Sequence, residues 1–179
     1  MVNQPRSDLS TPPLEMNHPD PSSRVFSFEE LLAFRAAAAA AGKRVVLTNG
    51  CFDLLHRGHL TYLHESAALG DLLIVAVNSD ASVRELKGDG RPINSEQDRA
   101  FALASLRCVD AAFIFSGPRL VAEITALQPD IYTKAGDYTF ETIDASERAA
   151  LVAAGVEIRF LPFVAGHSTT AQLQRLGGE

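Results

Sequence analysis

The feature that most constrains the fold is an alternation of short apolar runs with segments of helical periodicity. The runs are largely apolar and lie at residues 45–48, 72–77, 111–115, 131–133 and 157–161. Strands that are apolar on both faces and alternate with helices are typical of a parallel sheet covered on both sides. The first two runs start about 27 residues apart, close to the ~30 residues of a βαβ unit. The sequence therefore predicts an α/β fold with a doubly wound, Rossmann-like sheet of five parallel strands.

Capping and periodicity place the helices between these strands. Ser27 and Glu30 form a capping box at the start of a helix that ends near Gly42. After the first strand, Leu60 and Leu63 share one face of a helix and are expected to be buried. Asp144 is expected to cap a later helix.

Three further helix starts are predicted from capping residues and proline. Asn94 is expected to cap a helix that buries Phe101, and Gly117 with Pro118 is expected to open the next helix. Ser168 is expected to cap a final helix.

The chain length and its proline-rich start indicate one domain with a tail. A chain of 179 residues is the length of one domain. Residues 1–25 carry prolines at positions 5, 12, 13, 19 and 21 among polar residues, and few of them could pack. We predict a disordered or loosely attached tail over residues 1–25 and a single domain over residues 26–179.

The net charge and the number of cysteines indicate which binding partners and which cellular compartment to expect. The chain has 16 basic and 22 acidic residues, a net charge of −6, which argues against a broad surface for nucleic acid. Cys51 and Cys108 cannot form a disulfide scaffold and fit a reducing compartment. No signal peptide is visible, and no segment approaches the ~20 apolar residues that span a bilayer. We expect a cytoplasmic protein with no nucleic-acid or membrane partner.

The strongest functional motif follows the first strand, where ligands of doubly wound folds bind. Gly50 permits an unusual or closely approached backbone, and His56 and His59 flank Gly58 at the start of a helix. A helix N-terminus offers unpaired N–H groups and a partial positive charge, and two imidazoles add hydrogen-bond donors. The motif therefore indicates a phosphate site.

Other interpretations of this motif stay open. Asp53, His56 and His59 are three residues apart and could bind a metal ion, as in a metal hydrolase, although no further Cys or His cluster completes a ligand set. The two histidines could instead be structural. Cys51 is interpreted as a small buried residue, because no His–Asp pair near it indicates a nucleophile.

Hydroxyl and basic side chains elsewhere could complete a triphosphate site. Ser168, Thr169 and Thr170 stand together at a predicted helix start, where simple capping is the alternative. Lys87 and Arg91 flank a glycine-rich loop and Arg99 lies on the next helix. In an acidic protein such cations can neutralise phosphates. Exposure at the surface is the alternative for each of them, and it is favoured more for Arg91 than for Lys87 or Arg99.

The block Gly50-x-Phe-Asp-x-x-His-x-Gly-His59 resembles the signature of the cytidylyltransferase-like nucleotidyltransferases. The resemblance extends over residues 45–176. It implies the Rossmann-like fold of the His-x-Gly-His type and transfer of a nucleotidyl group from a nucleoside triphosphate to a phosphorylated acceptor, with release of pyrophosphate. It also implies a homodimer.

The resemblance assigns roles to individual residues. The implied catalytic residues are His56, His59 and Lys87. The implied nucleotide-binding residues are Asn49, Gly50, Cys51, Phe52, Gly58, Arg99, Gly136, Asp137, Ser168, Thr169 and Thr170, and the implied acceptor-binding residues are Asp53, Asn78 and Arg91. Mg²⁺ is expected to bridge the phosphate oxygens, with no ligand set supplied by the protein alone.

Within the superfamily, the chain most resembles the adenylyltransferases that make ADP-heptose for lipopolysaccharide core. The matching stretches are residues 48–59, 78–80, 86–92, 134–138 and 168–170. This resemblance implies ATP and D-glycero-D-manno-heptose 1-phosphate as substrates, with the sugar phosphate supplied by a separate kinase. Ala135 and His167 depart from the usual pattern near the expected nucleotide pocket.

Two alternatives remain. One is a CTP-dependent cytidylyltransferase acting on glycerol 3-phosphate or a similar phosphorylated acceptor, although Phe163 stands where the glycerol-3-phosphate enzymes usually carry arginine. The other is a non-catalytic nucleotide-binding module on the same fold.

Overall fold

The structure, a computed structural model, describes residues 19–162 and contains the parallel sheet that the apolar runs predict. The strands are β1 (Val45–Gly50), β2 (Leu72–Asn78), β3 (Ala111–Phe115), β4 (Ile131–Ala135) and β5 (Glu157–Leu161). Their order across the sheet is β3-β2-β1-β4-β5, and every pairing is parallel. The predicted five-stranded, doubly wound α/β fold is confirmed.

Helices cover both faces of this sheet. They are α1 (Phe28–Ala40), α2 (Arg57–Ala67), α3 (Asp80–Lys87), α4 (Glu96–Ala104), α5 (Val121–Leu127) and α6 (Ala145–Ala153). Leu31 of α1, Ile124 of α5 and Leu151 of α6 belong to one hydrophobic cluster. Leu63 of α2 and Leu103 of α4 belong to a second cluster. Strands β1 to β4 are largely buried between the two clusters. Because β1 lies between β2 and β4, its carboxyl end is in the middle of the edge where the strands end.

Most of the predicted caps are confirmed. The capping box of Ser27 and Glu30 forms at the start of α1. The Asp144 carboxylate caps α6 by accepting hydrogen bonds from the N–H groups of Ser146 and Glu147. The predicted cap at Ser168 lies outside the described residues.

Two helix starts differ from prediction. α4 is capped by Ser95, not Asn94, because the Asn94 side chain instead donates to the carbonyl of Asp53. α5 begins at Val121, three residues beyond Pro118, because the N–H of Leu120 is held by the Glu147 carboxylate. At the starts of both α4 and α5, hydrogen bonds to residues distant in sequence determine where the helix begins, and not the local capping preference.

Two side chains expected in the core are instead partly exposed. Leu60 of α2 is 42% exposed and Phe101 of α4 is 47% exposed. Each lies on its helix beside residues that are buried, Leu63 and Leu103 respectively. The predicted buried faces were therefore too wide.

The last residues of the predicted tail contact the sheet. A 3₁₀ helix spans Pro21–Arg24 and is capped by Asp20. Val25 forms a parallel bridge with Ala112, and Arg24 donates a hydrogen bond of 2.9 Å to the carbonyl of Val109. Contact with the domain thus begins a few residues before position 26.

No helix within residues 19–162 is long and apolar enough to cross a membrane. The longest, α1, has 13 residues, where about 20 are needed.

Candidate active site

A cavity of about 710 Å³ opens at the carboxyl edge of the sheet, where the fold predicts a ligand site. Most of the side chains singled out from the sequence line it. These are Asn49, Gly50, Cys51, Phe52, Asp53, His56, His59, Asn78, Lys87 and Arg91. A cavity of this volume is in the range of small-molecule sites.

The turn between β1 and α2 depends on a glycine and a strained phenylalanine. A Cβ at Gly50 would lie 3.0 Å from the Phe52 ring, so a side chain there would displace the ring. Phe52 has a φ of +46°, a left-handed conformation that is costly for a bulky residue. Its ring packs edge-on against His59, with 5.3 Å between ring centroids. The strained turn thus places the Phe52 ring against His59.

The two histidines of the motif stack on each other at the start of α2. His56 is the N-cap residue, and its Nδ1 accepts a hydrogen bond from the N–H of His59. When His56 is neutral, its proton therefore lies on Nε2. The two rings are 3.8 Å apart and tilted by 17°. Gly58, between them in sequence, is buried and does not line the cavity.

His59 is held in its neutral form. Burial and the neighbouring His56 lower the pKa of His59 from 6.5 to about 4. Its Nδ1 is buried and makes no hydrogen bond to any residue that the structure describes. At neutral pH this ring therefore acts as a hydrogen-bonding group and not as a cation.

Asp53 organises the glycine-rich loop that follows α3. Its carboxylate pairs with Nε of Arg91 and accepts hydrogen bonds from the N–H groups of Ile93 and Asn94, at 2.7 and 3.1 Å. Burial opposes ionisation, but these hydrogen bonds lower the pKa of Asp53 below its ordinary value. The anchored loop begins directly after Lys87, whose exposed side chain lines the cavity.

Arg99 lies behind the cavity. It is 1% exposed, and its guanidinium donates to the carbonyls of Cys51, Asn78 and Asn94 and to the carboxylate of Asp80. These bonds tie the ends of β1 and β2 to α4. The structure therefore does not bring Arg99 to the cavity with the other predicted cations.

Lys134, at the end of β4, joins the site through Asn49. Its Nζ donates to Oδ1 of Asn49 at 2.6 Å, and the hydroxyl of Tyr132 donates to the same oxygen at 2.7 Å. The ammonium lies 5.5 Å from the ring centroid of Tyr138. Burial lowers the pKa of Lys134. The sequence placed Lys134 in a loop expected near the nucleotide, but gave it no role of its own.

Asn78 and Cys51 occupy the wall between β1 and β2. Nδ2 of Asn78 donates to the hydroxyl of Ser82 at 2.9 Å. Burial raises the pKa of the Cys51 thiol, which disfavours the thiolate at neutral pH. This agrees with the interpretation of Cys51 as a lining residue and not a nucleophile.

The remaining predicted nucleotide residues are not brought to the cavity or lie outside the described residues. Gly136 has a φ of +102°, and its N–H donates to the carbonyl of Leu161. Neither it nor Asp137 lines the cavity. Ser168, Thr169 and Thr170 lie outside the described residues.

The sequence reasoning missed most of one side of the cavity, where only Tyr138 belongs to a loop, residues 134–138, that was expected near the nucleotide. Below, the histidine side means Phe52, Asp53, His56, His59 and Lys87. The carboxylate side means Phe115, Pro118, Arg119, Tyr138, Thr142, Asp144 and Glu147. The first side centres on α2, and the second on the residues just before α5 and at the start of α6. Helix α2 packs in one hydrophobic cluster, and α5 and α6 pack in the other.

The carboxylate side carries two acidic groups beside one arginine. Asp144 pairs with Nε of Arg119 at 2.7 Å, and the hydrogen bonds of Ser146 and of this arginine lower the pKa of Asp144 far below its ordinary value. Glu147 is 5% exposed, and its Oε1 accepts a hydrogen bond of 3.0 Å from the N–H of Leu120. The sequence predicts Asp144 only as a helix cap and gives Glu147 no role in a site.

Within residues 19–162, no three His, Cys, Asp or Glu side chains are grouped to hold a metal ion. Asp53, His56 and His59 therefore do not form the ligand set that a metal hydrolase would need. Asp53 is directed instead to Arg91 and the loop.

Comparison with known proteins agrees with this geometry. The Cytidylyltransferase-like family matches residues 47–171. The bifunctional protein HldE of Helicobacter pylori (strain Shi470) is 51% identical over 134 residues, covering 75% of this chain and 28% of that protein. The HldE of Pelobacter propionicus is 45% identical over 159 residues, covering 89% of this chain and 32% of that protein. The chain thus spans about a third of the length of these curated relatives.

Solved structures show the same fold. The lipopolysaccharide core biosynthesis protein from Thermoplasma volcanium superposes with a TM-score of 0.56 at 30% identity, covering 69% of this chain and 98% of that one. The pantoate-beta-alanine ligase from Francisella tularensis has a TM-score of 0.52 at 12% identity, covering 77% of this chain and 66% of that one, and shows the fold alone. The match over residues 47–171, together with the 30% identity to a solved protein covered almost completely, establishes that the chain belongs to the cytidylyltransferase-like family, as an enzyme of nucleotidyltransferase type.

Proposed function

We propose that this protein transfers the adenylyl group of ATP to D-glycero-D-manno-heptose 1-phosphate, giving ADP-heptose and pyrophosphate. The observation that carries the proposal is the stacked pair of His56 and His59 at the start of α2, lining a cavity together with Lys87. The choice of a heptose acceptor rests on the resemblance to the ADP-heptose enzymes. It is supported by the HldE relatives and by the solved protein of lipopolysaccharide core biosynthesis.

The reaction is a direct in-line transfer. An oxygen of the sugar phosphate attacks the α-phosphorus and forms the new P–O bond. The bond from the α-phosphorus to the oxygen that bridges it to the β-phosphorus breaks, and pyrophosphate leaves with that electron pair. Because the attacking phosphate is already ionised near neutral pH, no general base is required. Catalysis then consists of positioning and of stabilising the charge that develops in the transition state.

The histidine side supplies the donors for that charge. His56 and His59 contact the α-phosphate as hydrogen-bond donors, His59 as a neutral ring because of its low pKa. Fixed donors in a partly buried site require little rearrangement during the reaction. Lys87 and the hydroxyls of Ser168, Thr169 and Thr170 hold the β- and γ-phosphates.

Two of the predicted binding residues take positioning roles in this proposal. Arg99 fixes the carbonyls at the ends of β1 and β2 and does not itself contact phosphate. Asp53 fixes the loop that follows Lys87. Arg91, held through its Nε by Asp53, keeps its terminal nitrogens for the acceptor, and Asn78 lines the same wall.

Mg²⁺ enters as part of the nucleotide substrate. Within residues 19–162, the carboxylates that line the cavity are not grouped with other Asp, Glu, His or Cys side chains as a protein metal site requires. Phosphate oxygens and water are therefore its expected ligands, as is usual for this ion. Bound there, it neutralises part of the phosphate charge.

The test is a matrix of pyrophosphate-release assays with Mg²⁺. ATP and CTP are each combined with heptose 1-phosphate, other sugar 1-phosphates and glycerol 3-phosphate. We expect release with ATP and heptose 1-phosphate at a rate well above every other pair. Preference for CTP with glycerol 3-phosphate would replace the proposal with the cytidylyltransferase alternative. Release with no pair would favour a non-catalytic binding module.

The predicted homodimer and cytoplasmic location remain predictions. Sedimentation of the purified protein and fractionation of cells that express it would measure them.

A further inference from the structure

We infer that the carboxylate side of the cavity binds hydroxyl groups of the acceptor sugar, with Glu147 as the residue that determines specificity and Arg119 as its partner. The inference rests on the proposed function and extends it, because it names the part of the acceptor that this side recognises. No sequence motif assigned a ligand to either residue.

The Glu147 carboxylate has one oxygen bound by the protein and one that is not. Its side chain is 95% buried and lines the cavity, and Oε1 is satisfied by the N–H of Leu120. Oε2 makes no hydrogen bond or ion pair with any part of the chain that the structure describes. Oε2 is not among the fully enclosed side-chain atoms of residues 19–162 that lack a partner, so it is accessible from the cavity and can accept a hydrogen bond from a bound ligand.

The charge pattern of the cavity decides which donor this is. The charges of Glu147 and Asp144 are balanced by Arg119 and Lys134 beside them. Lys87, on the histidine side, forms no ion pair within residues 19–162, so a phosphate is attracted most strongly there. A carboxylate only accepts hydrogen bonds, and hydroxyl groups donate them without carrying charge. The carboxylate side therefore suits the uncharged, polyhydroxylated part of a substrate whose phosphate lies on the histidine side.

Arg119 complements this acceptor with a donor. Its Nε is fixed by Asp144, and Nη1 donates weakly to the carbonyl of Pro118 at 3.2 Å. Its Nη2 has no hydrogen bond within residues 19–162. A donor and an acceptor that line the same cavity match the hydroxyls of a sugar, since each hydroxyl both donates and accepts.

The acceptor sugar and the ribose of ATP both carry such hydroxyls. In an in-line reaction the acceptor and the departing pyrophosphate lie on opposite sides of the reacting phosphorus. Of the groups proposed for pyrophosphate, the structure describes Lys87, at the end of α3, whereas Glu147 belongs to α6 and Arg119 lies just before α5. This placement favours the acceptor sugar.

The first experiment uses Glu147→Gln. The glutamine keeps the size of the side chain and one oxygen for the N–H of Leu120, but it turns a donating NH₂ group toward the cavity. We expect KM for heptose 1-phosphate to rise by about 10- to 100-fold, as for loss of one hydrogen bond to a charged group, with KM for ATP unchanged. The matched control is Glu141→Gln, an exposed carboxylate six residues earlier that does not line the cavity. Its KM values should equal those of the unaltered protein.

The second experiment removes hydroxyls from the substrates. The unaltered protein should discriminate against at least one singly deoxygenated sugar 1-phosphate, and Glu147→Gln should lose that discrimination. Equal discrimination by both proteins overturns the inference, as does a KM increase for ATP alone with sensitivity to 2′- or 3′-deoxy-ATP. Those outcomes leave the proposed function intact. Absence of pyrophosphate release by the unaltered protein overturns both.

Discussion

The histidine side and the carboxylate side of the cavity differ in how their side chains are held. On the histidine side, the two imidazoles stack on each other and His59 also packs against Phe52. The Asp53 carboxylate accepts three hydrogen bonds from the protein. On the carboxylate side, Arg119 and Asp144 form a pair with 47% and 29% of their side chains exposed. The side chains of the histidine side are therefore fixed before substrate binds, whereas the carboxylate side retains hydrogen-bonding groups that are accessible to a substrate.

This difference corresponds to two requirements of a transferase. Groups that stabilise a transition state act best when their positions are fixed in advance. Groups that select one sugar among many must leave donors and acceptors open to it. Changes on the histidine side should therefore reduce stability or kcat, whereas changes on the carboxylate side should act mainly on KM.

The largest expected effect comes from replacing the buried arginine behind the histidine side. Arg99→Met leaves three carbonyls and the Asp80 carboxylate without their donor, and we expect the free energy of unfolding to fall by about 3–5 kcal/mol. Arg119→Met removes a half-exposed ion pair and should cost at most about 1 kcal/mol. Urea unfolding of both variants measures the difference.

Comparing the two variants also shows whether Arg99 positions other residues or binds phosphate directly. If Arg99 acted chiefly by binding phosphate, Arg99→Met would keep its stability and lose activity. A stability loss as small as that of Arg119→Met would contradict the structural role and return Arg99 to the phosphates.

The next effect is on catalysis. His59→Ala removes a fixed donor and should lower kcat for pyrophosphate release by about 10²–10³-fold, with KM for the acceptor little changed. His64→Ala, at an exposed position on the same helix that does not line the cavity, is the matched control and should keep full activity. Near-normal turnover by His59→Ala would remove the histidines from the mechanism.

The histidine side could be predicted from sequence because its signals are local. Gly50, His56 and His59 lie within ten residues, and the apolar runs fix the strand that they follow. The carboxylate side is assembled from residues after β3 and after β4, which only the folded sheet brings together. No spacing rule joins Arg119 to Asp144.

Arg91 and Arg99 show a second limit of sequence reasoning. The sequence favoured Arg99 over Arg91 as a phosphate ligand, yet Arg91 lines the cavity and Arg99 lies behind it. Both residues are cations near a glycine-rich loop. They differ in their tertiary surroundings. Three carbonyl groups and the Asp80 carboxylate accept hydrogen bonds from Arg99, and the sequence does not show that these acceptors come together.

The free energy of unfolding below pH 6.5 should depend on the buried His59. The pKa of His59 is about 4 when folded and near 6.5 when unfolded, so between these values the unfolded chain binds a proton that the folded chain does not. The free energy of unfolding should therefore fall as the pH is lowered from 6.5 to 4, by about 1–3 kcal/mol after allowance for partial solvent access. His59→Asn should lose this part of the pH dependence, and His64→Asn should keep it. Identical profiles for the unaltered protein and His59→Asn would show that the ring is not held neutral.

The smallest expected effect concerns how firmly each side is anchored to the sheet. The Tyr62 hydroxyl bonds Thr48 at 2.6 Å and Thr133 at 3.0 Å, and so ties α2 to β1 and β4. Tyr62→Phe should lower the free energy of unfolding by about 1 kcal/mol. Tyr138→Phe, on the carboxylate side, removes a hydroxyl that makes no hydrogen bond within residues 19–162, and should change stability by less than about 0.5 kcal/mol. Equal losses in urea unfolding would mean that the two sides are anchored alike, and the contrast between a fixed side and an open side would then rest on the arginines alone.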